Sequence, residues 1–173
     1  MYPTKEEILA NLRPLDKRTV LAMRFFKDTF YVSWRIQSNN LKLLSLKALV
    51  DSICILMEEE VPDVKISHFG YSYLEEDVDE GKNAVIYLGP EASILSTLHE
   101  LGHHLYGPSE LDAQVFAVSC YKIINPTLKG LQWKGHLLVQ TQPRSKRKTV
   151  STTSPKRKTA GTQSESKQKQ AGT

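Results

Sequence analysis

The chain has 173 residues, 40% of them hydrophobic and 24% charged, which suits one folded domain with a sizeable core and excludes a collagenous or wholly disordered protein. No stretch approaches the roughly 20 apolar residues of a membrane span, and the opening MYPTKEEILA lacks the apolar run of a signal peptide. The expectation is therefore a cytoplasmic protein, or a nuclear one in a eukaryotic host, with no membrane partner. The net charge of +4 divides unevenly, with +8 in residues 141–173 and −4 in residues 1–140. Its basicity belongs to a tail, which disfavours a folded body built as a nucleic-acid surface.

In chain order, Thr4 with Glu7 three residues later makes a capping box for a short helix that stops before Pro14. A second helix is predicted over 16–27. In residues 30–36, Phe30, Val32, Trp34 and Ile36 alternate with Tyr31, Ser33 and Arg35, the period of a half-buried strand. Asn39-Asn40 opens the most apolar helix, with Leu41, Leu44, Ala48, Ile55 and Met57 among its expected buried positions; it closes at Glu58-Glu59-Glu60 before Pro62.

Strands are predicted over 64–73 and 83–88, joined by the acidic stretch Glu75-Glu76-Asp77-Val78-Asp79-Glu80-Gly81. That stretch lacks EF-hand spacing, so a solvated hairpin connection is expected rather than a calcium loop. Gly89-Pro90-Glu91 opens a helix, with proline in the first turn and an acid at the positive end of the dipole, and Gly107-Pro108 ends it. Ser109 caps the next helix, which ends before Asn125-Pro126, and LQWKGHLLVQ (131–140) reads as a last strand. Cys54 and Cys120 lie far apart within apolar helical patterns, and are expected to be core thiols rather than a disulfide or a metal pair.

The chemistry concentrates in His99-Glu100-Leu101-Gly102-His103, an HExxH pattern. Two histidines four apart on a helix share one face, so both imidazoles can reach a single zinc ion. Glu100 follows the first ligand and is placed to act as general base toward an attacking water. His104 points about 100° away from His103 around the helix, a surface or supporting position. His68 and His136 are isolated and read as structural histidines.

A catalytic zinc takes three protein ligands and keeps one position open. The third ligand is expected from the following helix, where Glu110 and Asp112 compete. Ser109 and Asp112 have capping-box spacing. Glu110 has Gln114 four residues on, able to hydrogen-bond a ligand histidine, whereas Asp112 has Phe116. Glu110 is favoured, with Asp112 the alternative.

HELGHHL followed by ELDAQVFA resembles the ImmA/IrrE-type minimal gluzincin metallopeptidases, small zinc-dependent proteins often found on mobile elements. That family pairs HExxH with a helix of the type Glu-x-x-Ala-[Asn/Asp]-x-x-Ala, matched here by His99, Glu100, His103, Glu110, Ala113 and Ala117, with Gln114 at the Asn/Asp position. The likeness spans about residues 64–124 in element order and the two motif helices in residue detail. It implies an α+β fold over residues 1–140, a small zincin-like core of helices packed on a short mixed or antiparallel sheet with a sheet edge beside the active-site helix. It further implies a zinc-dependent metallopeptidase acting on a protein or peptide substrate. The strand 83–88 is the candidate edge for pairing with an extended peptide. Tyr106 and Tyr121 are in reach by sequence to stabilise an oxyanion, and neither is assigned that role.

Residues 141–173 contain no large apolar residue after Val150 and are expected to form a disordered tail. Its clusters Ser145-Lys146-Arg147-Lys148 and Pro155-Lys156-Arg157-Lys158 suit a solubilising tether. They also keep open a second class of function, a non-catalytic zinc-binding or nucleic-acid-associated protein acting through phosphate contacts.

Overall fold

The structure, a computed structural model, describes residues 2–75, 83–90, 93–129, 131–134 and 137–140, with only the backbone for Lys134 and 137–140. The acidic stretch 76–82, Glu91, His136 and the basic tail from 141 onward lie outside the described residues.

The chain opens with α1 (Lys5–Ala10), where Thr4 accepts the Glu7 amide at 3.2 Å and Glu7 returns a bond to the Thr4 amide at 2.6 Å. The capping box therefore forms as the sequence reads. Asp16 caps α2 (Lys17–Thr29), which buries Thr19, Ala22, Met23 and Phe26. Residues 30–36 do not make the expected strand; Tyr31–Ile36 is a 3-10 helix. The Gln37 side chain donates to the Phe30 carbonyl at 3.1 Å and Ser33 donates to the same carbonyl at 3.3 Å, bonds that curl this segment. Alternation of apolar residues makes a strand only where another strand supplies partners, and none does here among the described residues.

Ser38 caps α3 (Asn39–Met57), which ends at Glu58 in the left-handed region, φ 63°. Its buried stripe is Leu46, Leu49, Val50, Ile53 and Cys54, whereas the expected Leu41, Leu44 and Ile55 are 46%, 63% and 66% exposed. A helix apolar on nearly every side has no periodicity by which to choose its inner face, so its neighbours choose it.

The predicted strand 64–73 is two strands, β1 (Asp63–Ile66) and β2 (Tyr73–Glu75). Between them Ser67 Oγ accepts the Phe69 amide at 2.9 Å, a side-chain turn that breaks the extended run. With β3 (Val85–Leu88) they form a mixed sheet in the order β1-β3-β2, parallel between β1 and β3 and antiparallel between β2 and β3. β3 is thus the central strand and not the edge expected of 83–88; among the described residues β1 and β2 are the edges, and β2 is the one that packs on α4. The central position of β3 accords with the burial of Ile86 and Leu88, both 0% exposed.

The HExxH helix, α4 (Ile94–Tyr106), begins at the cap Ser93, later than Gly89-Pro90, and α5 (Glu110–Ile124) follows after its own cap, Ser109. The last predicted strand is a hairpin of β4 (Leu131–Lys134) and β5 (Leu137–Gln140). The fold class is α+β, with five α-helices and a three-stranded mixed sheet among the described residues. α4 packs against α5 on one side and against β2 and β3 on the other. Both cysteines are free and buried, and no described helix is long and apolar enough to cross a membrane.

Candidate metal centre

α4 is amphipathic. Ile94, Leu98 and Leu101 are at most 4% exposed and pack into the core, which turns the 99/103 face toward the start of α5. The i and i+4 positions place the two imidazoles one above the other, with ring centroids 4.7 Å apart and the Nε2 atoms at 3.2 Å. Glu110, first residue of α5, lies against both, with carboxylate oxygens 3.5 Å from His99 Nε2 and 3.6 Å from His103 Nε2. This group could hold a metal ion. Three ligand atoms bound tetrahedrally at about 2.1 Å stand about 3.4 Å apart, so the observed triangle has the right size. Its chemistry also fits, since Glu110 Oε2 is buried without a hydrogen-bond partner and is thus available as a donor.

The link between the helices explains how so short a connection brings Glu110 back to α4. Gly107 takes φ +81° and ψ −164°, a conformation that side chains resist, and reverses the chain directly after the last helical residue. Its carbonyl accepts a bond from His103 Nδ1 at 3.1 Å. A proton held on Nδ1 leaves the Nε2 lone pair facing the centre, the tautomer a metal requires. The hydrogen bond that Gln114 could make to a histidine is not made to His103 Nδ1. Gln114 is buried one turn beyond Glu110, and the Gly107 carbonyl serves His103 instead.

Close approach of the helices is the second condition. A Cβ on Gly102 would stand 2.8 Å from Ala113 Cα and 3.0 Å from its carbonyl oxygen. Only glycine at 102 lets the backbones come near enough for the first turn of α5 to meet His99 and His103. The sequence marks Gly107 as the point where the chain must fold back, but it does not single out Gly102. A glycine inside the helical HELGHH is the signal that would have found it.

Glu100 is 8% exposed and lies beside the same centre. Burial pushes its carboxyl up to about 7, with the Glu110 charge adding to the rise, while His103 and a hydrogen bond from the Leu74 amide oppose it. A cation held by the three ligands would lower it again. Leu74 belongs to β2, so the free edge of the sheet runs past Glu100.

The other candidates stand apart. Asp112 faces away, with Oδ1 3.1 Å from the Arg13 guanidinium and its amide bonded to the Ser109 cap, so it is not brought to the histidines. His104 donates to the Glu60 carbonyl at 2.9 Å and ties α4 to the segment before β1. His68 is exposed in the turn after β1. Tyr106 packs against Phe116 and under Arg13, and Tyr121 is buried with Tyr31 and Asn125 as its hydrogen-bond partners. Comparison with protein-family models, curated proteins and solved structures finds no match to the chain.

Proposed function

We propose that this protein is an intracellular zinc-dependent metallopeptidase. The observation that carries the reading is the convergence of His99 Nε2, His103 Nε2 and the Glu110 carboxylate within 3.2–3.6 Å of one another, with buried Glu100 beside them. Two imidazoles and one carboxylate suit zinc among the available divalent ions. The resemblance of HELGHHL and ELDAQVFA to minimal gluzincins supports the same assignment, and two buried free thiols suit a reducing compartment.

His99, His103 and Glu110 would hold the zinc, which when bound supplies a Lewis acid that polarises the scissile carbonyl and acidifies water. Glu100 takes the proton of the attacking water and delivers it to the departing amine. Its burial beside β2, where it accepts a hydrogen bond from the Leu74 amide, keeps it within reach of a peptide laid along that strand, as in recognition by strand addition. The Gly107 carbonyl holds the proton on His103 Nδ1 throughout.

The test is metal content by mass spectrometry alongside hydrolysis of dye-labelled casein. About one zinc per chain is expected in wild type and Glu100→Gln, with zinc lost in His103→Ala and Glu110→Ala but kept in Asp112→Ala. Hydrolysis should vanish in Glu100→Gln. Wild-type protein that folds but takes up no zinc would refute the reading. Zinc with casein cleavage indifferent to Glu100→Gln would leave a metal site without the proposed chemistry.

A further inference from the structure

The free edge of β2 has the metal centre on one face of the sheet and a row of aromatic rings on the other. Leu74 pairs with Ile86 on the core face. Tyr73 pairs with Tyr87, so both lie on the outer face, stacked with centroids 4.7 Å apart and planes 16° from parallel. Tyr71 is 5.8 Å from Tyr73, and Phe69 is 5.8 Å from Tyr71. Tyr71 and Phe69 are 63% and 57% exposed, so the row opens to solvent. Glu75 shares this face two residues beyond Tyr73, is exposed, and accepts a hydrogen bond from the Tyr87 hydroxyl.

We propose that this face is a docking subsite for a basic extended peptide, whose arginine or lysine side chains lie over Tyr71 and Tyr73 with Glu75 as counter-charge. The proposal rests on the peptidase reading and adds the substrate class. In a strand added to β2, successive side chains alternate between the two faces. Those on the inner face meet Glu100 and the histidines, and those between them meet the ring row. Ring faces carry negative quadrupole charge and attract cations, most strongly guanidinium. Glu75 strengthens that preference and opposes an acidic guest. Lys65 is the one described cation on these strands; it is 3.6 Å from Asp63 and lies across β3 from the free edge.

The test uses the full chain and fluorescence anisotropy with three labelled peptides of about nine residues, in which threonine alternates with arginine, glutamate or phenylalanine. The arginine peptide should bind about tenfold more tightly than the glutamate peptide, and its affinity should fall as salt is raised. Tyr71→Ala and Glu75→Gln should each weaken it about fivefold with zinc content and circular dichroism unchanged. Tightest binding by the phenylalanine peptide, equal binding of the arginine and glutamate peptides, or indifference to both substitutions would overturn the proposal. Zinc content separates it from the peptidase reading. Zinc without an arginine preference sinks the docking face alone; an arginine preference sensitive to both substitutions, without zinc, supports the docking face and sinks the peptidase.

Discussion

Substituting Gly102 by alanine probes the contact on which the proposed metal centre depends. On an ordinary exposed helix this change stabilises by about 1 kcal/mol, because glycine has the greater freedom to lose. Here the added Cβ would meet Ala113 Cα at 2.8 Å, Ala113 O at 3.0 Å and Ala113 C at 3.3 Å. Carbon atoms rest about 3.5–4.0 Å apart, so α5 must withdraw by roughly 1 Å. All three atoms belong to the backbone, and no rotamer change relieves them. Overpacking of this kind costs about 1–3 kcal/mol. Set against the propensity gain, the net change is expected between about zero and 2 kcal/mol of destabilisation.

The effect on metal binding should be larger. Glu110 is three residues from Ala113 on the same rigid turn, so its carboxylate retreats with the helix from His99 and His103, now 3.5 and 3.6 Å away. Metal sites tolerate errors of only about 0.2 Å in ligand position. Zinc affinity should therefore fall on the order of 10- to 100-fold. The assay pairs a chelator-competition titration of zinc with urea unfolding of the metal-free protein. Ala113→Gly added to Gly102→Ala should not restore binding, because the Ala113 methyl is not what the new Cβ meets. Unchanged zinc affinity with a stability gain of about 1 kcal/mol would refute the reasoning.

Other consequences can be measured in the same preparations. Gly107→Ala must adopt φ +81° with a side chain and should lose about 1–3 kcal/mol in urea unfolding; by displacing the carbonyl that orients His103 it should also weaken zinc about tenfold or more. Asp112→Ala should leave zinc affinity unchanged and cost less than about 1 kcal/mol, since its ion pair with Arg13 is 43–56% exposed. Leu98→Ala, at a site 0% exposed on the packing face of α4, should cost about 2–5 kcal/mol by chemical denaturation. Burial pushes the Cys54 thiol up to about 12 and the Cys120 thiol higher still, so neither should react with iodoacetamide at pH 8 until the protein is unfolded.

Much of the candidate site was legible because it is local. His99 and His103 share a helix face by the period of the helix alone, and Glu100 sits beside the first of them by adjacency. The Thr4–Glu7 capping box and the Ser109 cap were legible for the same reason, since each bond spans three residues. Glu110 and Asp112 were harder to separate. They lie two positions apart in one helical turn, and which of them faces α4 depends on the reversal at Gly107.

What only the tertiary structure decided involves partners far along the chain. The apolar helix α3 buries Leu46, Leu49, Val50 and Ile53 rather than Leu41, Leu44 and Ile55, and nothing in its own composition favours one stripe over the other. Residues 30–36 alternate like a strand but have no strand to pair with, so bonds from Ser33 and Gln37 curl them into a 3-10 helix. The order β1-β3-β2 puts β3, with its buried Ile86 and Leu88, in the middle and leaves β2 an edge strand among the described residues. The sequence by itself determined the helix caps and the shared face of His99 and His103, all set by backbone geometry within a few residues. Strand order and the buried side of α3 waited on packing, because each is a comparison between whole surfaces that local geometry leaves equivalent.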